Sequence, residues 1–296
     1  MEQGRIIKGL GGLYTVKTDC GETECKARGV FRKDNITPMV GDYVEIENEV
    51  IINIKPRKNS LIRPPCSNID KLLVVAATHD PNPNTLNIDK LTVIASYHCI
   101  EPVIILNKSD IGDEYGLEDI YKNLPMHFYK ISAEKSPDRE FDSIRNELYG
   151  CTAAFGGQSG VGKSSIINRL DKSLSLAIGD ISRKTKRGRH TTRHVQLYKA
   201  CGGMILDTPG FSSIILEFFD IKDRSRLAGC FPEFKPYVNR CKYSDCRHTK
   251  EDGCAVLEAV AKGEIPESRH KSYLSMFEEL GEYRAWEDKK RAEKNV

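Results

Sequence analysis

The sequence lacks long hydrophobic runs: no apolar stretch approaches the ~18 residues that a membrane-spanning helix needs. The opening residues, MEQGRIIKGL, lack the charged start and the apolar stretch of a secretory signal. No internal repeat or low-complexity tract appears either. These absences predict a cytoplasmic protein with no membrane partner. The chain of 296 residues is long enough for two or three domains.

The net charge of the chain is also small. Forty-five Lys and Arg residues face 42 Asp and Glu residues, which leaves a formal charge of only +3. The chain as a whole therefore gives no sign of a polyanion binder. One local segment differs: residues 183–193, RKTKRGRHTTR, hold six Lys or Arg residues and no acid. This pattern indicates an anion-binding segment, with a solvated loop as the alternative.

Three segments differ in their hydrophobic pattern. Residues 1–65 hold short β-like runs punctuated by glycine. They predict a small N-terminal β-barrel that is OB-like, although propensity does not separate it from an SH3-like barrel. Residues 66–216 alternate continuous apolar runs with helical segments, which predicts an α/β domain with buried parallel strands. Residues 217–296 hold a cysteine cluster and a helical tail with an apolar face, which predicts a mainly helical domain.

The segment GQSGVGKS, from Gly157 to Ser164, matches the phosphate-binding pattern G-x4-G-K-[ST]. Its glycines let backbone N–H groups turn toward phosphate oxygens, and the following helix adds the positive end of its dipole. We expect Lys163 to reach the β and γ phosphates and the Ser164 hydroxyl to bind Mg²⁺. The preceding apolar run, 152–155, supplies the strand that this motif requires.

A second motif of phosphate sites, DTPG, runs from Asp207 to Gly210 after the apolar run 204–206. An aspartate at the carboxyl end of a buried strand suits an outer-shell contact to Mg²⁺, and the Gly210 N–H can sense the γ phosphate. DTPG alone is a weak signal, but roughly fifty residues after a phosphate loop it is a strong one.

The string NKSD, from Asn107 to Asp110, follows an apolar run and so lies at the carboxyl end of a strand, where α/β folds bind ligands. The Asp110 carboxylate can accept from guanine N1–H and the exocyclic amine, whereas adenine would leave it unpaired. The Lys108 stem can cover the base, Asn107 can tie loops together, and a backbone N–H at 132–133 can meet guanine O6. The predicted nucleotide-binding residues are Asn107, Lys108, Ser109, Asp110, Ser132, Ala133, Gly157, Gln158, Ser159, Gly160, Val161, Gly162, Lys163, Ser164, Ser165, Asp207 and Gly210.

The order of these motifs is unusual, because in most GTP-binding chains NKSD follows the phosphate loop. A circular permutation explains it, since permutation moves the chain ends and lets the same strands surround the same nucleotide. The chain resembles the RsgA/YjeQ family of circularly permuted GTPases over essentially its whole length. The shared features are NKSD, GQSGVGKSS, GRHTT (188–192), DTPGF (207–211) and a C-terminal zinc motif.

The resemblance implies a fold and a function. It implies an N-terminal OB-fold, a permuted GTPase domain and a zinc domain. It also implies binding to the small ribosomal subunit and its rRNA during late maturation, with GTP hydrolysis that the subunit strongly stimulates.

Hydrolysis needs a group that orients the attacking water. Many P-loop GTPases place a glutamine directly after the DxxG glycine, but this chain has Phe211, which cannot hydrogen-bond water. We therefore expect slow intrinsic turnover. We expect His190 to position the attacking water. The alternatives for this histidine are contact with an RNA phosphate and plain solvent exposure. One of the neighbouring threonines is expected to contact Mg²⁺ and the γ phosphate, and Thr192 is assigned to magnesium with Ser164. The predicted catalytic residues are Lys163, His190, Thr191 and Thr192.

A cluster of cysteines near the C-terminus indicates a metal site. Cys241, Cys246, His248 and Cys254 supply three thiolates and one imidazole, a set that closes a tetrahedral structural zinc site. Clustered cysteines in a reducing cytosol bind metal more often than they form disulfides. Cys230 is a competing ligand, and four unrelated residues are the alternative to any site. We expect one structural Zn²⁺.

Three functions remain in view. The leading hypothesis is a monomeric GTP hydrolase that acts as a ribosome assembly or checkpoint factor. The second is a nucleotide-gated RNA-binding module whose hydrolysis is incidental, which Phe211 keeps open. The third is a kinase or ATPase that uses the same phosphate loop, and NKSD argues against it.

Overall fold

The computed structural model describes residues 1–29, 31, 36–174, 195–207 and 214–294. The strands within these residues are β1 (Glu2–Leu10), β2 (Leu13–Thr18), β3 (Gly21–Ala27), β4 (Tyr43–Glu47), β5 (Val50–Ile54), β6 (Ser60–Leu61), β7 (Cys66–Ser67), β8 (Lys71–Ala77), β9 (Glu101–Asn107), β10 (His127–Lys130), β11 (Thr152–Gly156), β12 (Val195–Ala200) and β13 (Gly203–Asp207). The α-helices are α1 (Thr85–Tyr97), α2 (Leu117–Tyr121), α3 (Asp138–Leu148), α4 (Lys163–Leu170), α5 (Ala255–Ala261) and α6 (Glu267–Lys294).

The chain forms two compact units. The first unit comprises Met1–Leu73, Ala133–Gly156 and Gly162–Phe211. The second unit comprises Val74–Ser132, Gly157–Val161 and Ser212–Val296.

The N-terminal part of the first unit is a closed barrel of five strands. The strand order is β1-β2-β3-β5-β4, and β4 pairs back with β1 to close it. All neighbours are antiparallel except β3 and β5, which run parallel. Alternating side chains such as Ile6, Val16 and Val44 are fully buried, as the period of two in a strand requires. The predicted OB-like barrel is therefore confirmed, with the five strands of that fold.

The rest of the first unit continues this sheet. Strand β12 pairs antiparallel with both β1 and β13, and β13 pairs parallel with β11. Strand β11 is buried along its whole length, as expected for a strand covered on both faces. Helix α4 follows it through the loop that begins at Gly157.

The second unit contains β10 and β9, which pair in parallel, and the part of β8 from Val74 onward, which neighbours β9. It also contains most of the C-terminal chain. Helix α1 is buried from Ile88 to Ala95, so it is a core element despite two charged residues. A series of short 3₁₀ turns between Leu216 and Phe234 leads to α5 and then to the long helix α6. No helix among the described residues is both long enough and apolar enough to cross a membrane.

Candidate nucleotide-binding site and metal centre

The NKSD loop begins where β9 ends. Asn107 is only 2% exposed, and its Nδ2 donates to the backbone oxygen of Val161 at 2.8 Å. Lys108 takes a left-handed conformation (φ 62°), and its carbonyl oxygen accepts from Thr78 Oγ1 at 2.8 Å. Asp110 lies in an exposed turn after it. Within the second unit, the structure thus brings the NKSD loop against the phosphate loop.

The Ser-Ala pair follows β10. The backbone N–H of Ser109 donates to Ile131 O at 3.2 Å, which places the NKSD loop beside the chain that leads into Ser132. Ser132 is buried in the second unit. Ala133 belongs to the first unit, where its carbonyl oxygen accepts from Arg169 Nη1 of α4 at 2.9 Å. The backbone at Ala133 is therefore held by a side chain of α4, and the residue before Ser132 is held by the NKSD loop.

The phosphate loop has the backbone that its glycines permit. Gly157 has φ +138°, and a Cβ there would lie 2.2 Å from the backbone oxygen of Val75, so a larger residue does not fit. Gly162, at φ +94°, precedes the first turn of α4, and its carbonyl accepts from Ile166 N at 2.9 Å. The helix dipole therefore points its positive end at the loop.

Lys163 opens α4 and is partly buried. Burial lowers the pKa of Lys163 below that of an ordinary lysine. An ammonium that has lost part of its hydration gains more from an anionic partner than an exposed one does. The next two residues, Ser164 and Ser165, are exposed. The start of α4 therefore carries one ammonium group and two exposed hydroxyl groups, which is the chemistry that a phosphate site needs.

The DTPG motif begins at the end of β13. Ala154 of β11 pairs with Leu206 of β13 in parallel register, so the carboxyl ends of these strands lie at the same edge of the first unit's sheet. The backbone of Asp207 is therefore near the point where the chain enters the phosphate loop. The remaining predicted residues lie outside the described residues: Gly210, Phe211, His190, Thr191, Thr192 and the basic segment 183–193.

The four predicted metal ligands meet in one cluster. The ligand atoms of Cys241, Cys246, His248 and Cys254 all lie within 4.8 Å of one another. The Sγ atoms of Cys241 and Cys254 are 3.9 Å apart, and each is 3.5 Å from His248 Nδ1. Tetrahedral zinc with Zn–S of about 2.3 Å and Zn–N of about 2.0 Å separates its ligands by about 3.8 Å (S–S) and 3.5 Å (S–N). The donor set and its spacing therefore fit Zn²⁺.

The surroundings of the cluster support cation binding. Burial raises the pKa of the Cys246 thiol to about 12, so a cation is needed to hold it as thiolate at neutral pH. His270 Nε2 lies 2.8 Å from His248 O, which ties the ligand loop to α6. Burial opposes ionisation of Glu251, but backbone N–H groups, including that of Arg247, lower the pKa of Glu251 to about 2. This carboxylate fixes the loop from Arg247 to Lys250.

Sequence patterns did not point to a buried ionic cluster in the second unit. Arg269 of α6 is fully buried, and its Nη1 and Nε lie 2.6 Å from Asp89 Oδ1 and Glu233 Oε1. The Tyr121 hydroxyl donates to Asp89 Oδ1 at 2.8 Å. No motif marks these residues. The one available signal is a pair of charged residues, Asp89 and Lys90, within a helix that has no other charged residue.

Comparison with known proteins gives matches over most of the chain. The family model described as RsgA GTPase matches residues 54–217, and the model of the RsgA N-terminal domain matches residues 3–50. The small ribosomal subunit biogenesis GTPase RsgA 2 of Oceanobacillus iheyensis is 44% identical over 293 residues, 95% of this chain and 98% of that protein. The small ribosomal subunit biogenesis GTPase RsgA of Clostridium beijerinckii is 42% identical over 284 residues, 94% of this chain and 97% of that protein.

Two solved structures are also similar. YloQ, described as a circularly permuted GTPase, is 33% identical with a TM-score of 0.76, and 96% of each chain is covered. YjeQ from Thermotoga maritima is 34% identical with a TM-score of 0.78, covering 94% of this chain and 98% of that one. The predicted permutation of the GTPase motifs is therefore confirmed.

Proposed function

The chain belongs to the RsgA GTPase family, and on that premise we propose that it acts in late maturation of the small ribosomal subunit, which stimulates its GTP hydrolysis. The chain is a circularly permuted GTPase. The observation that carries the proposal is the hydrogen bond from Asn107 to Val161, because it joins the base-reading and phosphate-binding motifs despite their reversed order. The curated relatives are named for biogenesis of the small subunit.

The proposed nucleotide contacts follow from the positions of the motifs. Asp110 reads the guanine edge, and it lies in an exposed turn that a base can reach from solvent. Lys108 covers the base. The backbone of the loop from Gly157 to Gly162 surrounds the phosphates, and Lys163 carries the charge that pairs with the β and γ oxygens.

The proposed catalytic group is His190, which replaces the glutamine that Phe211 displaces. In this scheme the small subunit completes or fixes the position of His190 relative to the attacking water, so turnover is slow without the subunit. Thr191 and Thr192 lie beside the γ phosphate in this scheme. Mg²⁺ at Ser164 and Thr192 would neutralise charge that develops on the phosphate oxygens.

The proposed metal role of the C-terminal cluster is structural. Cys241, Cys246, His248 and Cys254 would hold one Zn²⁺ as a closed set of four ligands. Closure leaves no position for a water or a substrate, so this ion cross-links the loop and takes no part in hydrolysis.

The basic segment 183–193 suggests how nucleotide and RNA binding are linked. It lies in sequence between the phosphate loop and DTPG. If the γ phosphate orders it, six cations are presented to rRNA only in the GTP state. Equal affinity for the small subunit with GDP and with a non-hydrolysable GTP analogue would count against this link.

The same proposal covers the organisation of the protein. We assign residues 1–65 to the barrel, 66–216 to the GTPase domain and 217–296 to the zinc-binding domain. The protein would work as a cytoplasmic monomer whose partners are GTP or GDP and the small subunit with its rRNA, without a membrane. A nucleotide-gated RNA-binding module with incidental hydrolysis is the second candidate, favoured by Phe211.

The deciding experiment measures GTP hydrolysis with and without purified small subunits. Large subunits and ATP serve as controls. Slow GTP turnover that only the small subunit accelerates would support the proposal. Tight GTP binding without any acceleration would favour the RNA-binding module instead.

A further inference from the structure

A hydrogen-bonded bridge in the second unit fixes the chain just after the DTPG motif. Lys90 Nζ of α1 lies 2.6 Å from Glu279 Oε2 of α6 and 3.2 Å from the backbone oxygen of Ile214. The other carboxylate oxygen, Glu279 Oε1, accepts from the backbone N–H of Leu216 at 3.0 Å. One ammonium and one carboxylate thus hold two backbone groups that are two residues apart.

The held segment is short and well anchored. Ile214 comes four residues after Gly210, the last residue of DTPG. The chain then enters the 3₁₀ turn Leu216–Phe219, whose first and last side chains are buried. At the far end of this turn, His98 Nε2 at the end of α1 lies 2.7 Å from Phe219 O. The segment is therefore tied to α1 at both ends.

Helix α1 also borders the phosphate loop. A cavity of about 10 Å³ separates them, and its lining includes Asn87, Ile88, Leu91, Gly157, Gln158 and Ile214. A cavity of this size has room for about one water molecule at most. A displacement of the phosphate loop therefore meets α1 and Ile214 directly, because little free space is available to absorb it.

Helix α6 carries the other end of the bridge toward the metal ligands. Glu279 follows Arg269 on the same helix, and Arg269 Nη1 binds Asp89 Oδ1 of α1 at 2.6 Å. Two ion pairs of opposite polarity therefore join α1 and α6, with the cation on α6 in one pair and on α1 in the other. The neighbouring His270 ties α6 to the carbonyl of His248 in the metal-ligand cluster.

We propose that Lys90 and Glu279 are positioning residues that couple the chain after DTPG to α6, so that the bound nucleotide sets the position of α6 and of the metal-ligand loop it holds. This inference rests on the proposed assignment of DTPG to the γ-phosphate side. Lys90 is 8% exposed, and an ammonium so deeply buried is costly unless it keeps its partners. The contacts of Lys90 and Glu279 with each other and with the backbone at Ile214 and Leu216 therefore form or break together. Such a group of contacts suits an element that switches between two states.

The natural probe is the single tryptophan of the chain, Trp286, which lies on α6 seven residues after Glu279. Its fluorescence is measured with saturating GDP and with a non-hydrolysable GTP analogue, without ribosomes. We expect a nucleotide-dependent difference in the unmodified protein. In Lys90→Met this difference should shrink by about fivefold or more, since the coupling is lost. Nucleotide affinity, measured separately, should stay within about threefold, because Lys90 lies outside the proposed nucleotide contacts.

The matched control is Lys271→Met on the same helix. Lys271 Nζ pairs with Glu267 at 2.8 Å, but both side chains are about 70% exposed. This variant should retain the full fluorescence difference. A full difference in Lys90→Met, or no difference in the unmodified protein, would overturn the inference.

Glu279→Gln separates coupling from folding. Glutamine keeps an oxygen for the Leu216 N–H but loses the charge that pairs with Lys90, so an intermediate loss is expected. The double variant should lose no more than Lys90→Met, because both residues act through one bridge. Should Lys90→Met fail to fold, Glu279→Gln decides: an unchanged difference refutes the coupling. Failure of the ribosomal proposal appears separately, as absent stimulation of the unmodified protein by small subunits.

Discussion

Asn107 and Val161 are 54 residues apart in the chain, yet the amide Nδ2 of one donates to the backbone oxygen of the other at 2.8 Å. Both residues are at most 2% exposed, so water does not compete for this bond. The bond depends on where β9 and the phosphate loop lie in space and not on which comes first in the chain. It therefore shows in one contact how a permuted order of motifs still builds a common site.

Replacing Asn107 should weaken all guanine nucleotides alike. Asn107→Ala leaves the buried Val161 carbonyl unpaired, at about 1–3 kcal/mol, and so loosens both loops. We expect GDP and GTP affinities to fall by about tenfold each, measured by titration with fluorescent nucleotides. Asn53→Ala removes an exposed amide that donates to Glu45 Oε2 at 3.1 Å, and it should change neither affinity. Unchanged nucleotide affinity in Asn107→Ala would show that the bond only supports the fold.

Replacing Asp110 should change which base is bound. Asn offers one donor and one acceptor where the carboxylate offers two acceptors, so Asp110→Asn should weaken GTP by about tenfold or more and favour xanthosine triphosphate. Competition between the two nucleotides measures this directly. Asp119→Asn changes an exposed carboxylate that pairs with Lys122, and it should leave GTP preferred. Full GTP affinity in Asp110→Asn would remove this residue from base recognition.

Much of the site follows from sequence because its motifs encode local geometry. Glycines with positive φ, such as Gly157, and residues at strand ends, such as Asn107, take their positions from rules that act over a few residues. The ligand spacing from Cys241 to Cys254 similarly limits how the loop can close. These features were therefore predictable before any tertiary contact was known.

Other features depend on partners that sequence does not reveal. Strand β3 (Gly21–Ala27) is polar and buries only Cys25 among its residues, so it lacks the apolar signal of a strand. It forms because β2 and β5 offer it backbone partners on both sides. The charges of Asp89 and Arg269 likewise make sense only once α1 and α6 are packed together.

The catalytic assignment to His190 predicts a loss of turnover without a loss of binding. His190→Ala should reduce hydrolysis stimulated by the small subunit by about 10²-fold or more, while GTP affinity stays the same. Multiple-turnover assays with saturating subunits measure this. His127→Ala, at an exposed position on β10, serves as the histidine control. Normal stimulated turnover in His190→Ala would remove this residue from the mechanism.

Loss of Arg269 should destabilise the second unit strongly. Arg269→Met strands the buried carboxylates of Asp89 and Glu233, and removing one partner of a buried ion pair costs about 3–5 kcal/mol. Urea unfolding followed by far-UV circular dichroism measures the loss. Arg240→Met, at an exposed position, should have an effect within about 0.5 kcal/mol. A loss of stability for Arg269→Met as small as that of the control would mean that water hydrates the carboxylates of Asp89 and Glu233 once the arginine is removed.

Removal of zinc should unfold the ligand loop before it affects the nucleotide. Chelation of the ion leaves Cys241, His248 and Cys254 without their common partner, so hydrogen exchange should rise in residues 241–254 while GDP affinity is retained. Cys246→Ser should mimic chelation, and Cys20→Ser, an exposed cysteine in the barrel, should not. Because the thiols must lose protons to bind, zinc affinity should fall as pH falls. Loss of GDP binding together with zinc would mean that the ligand loop and the nucleotide site unfold as one unit.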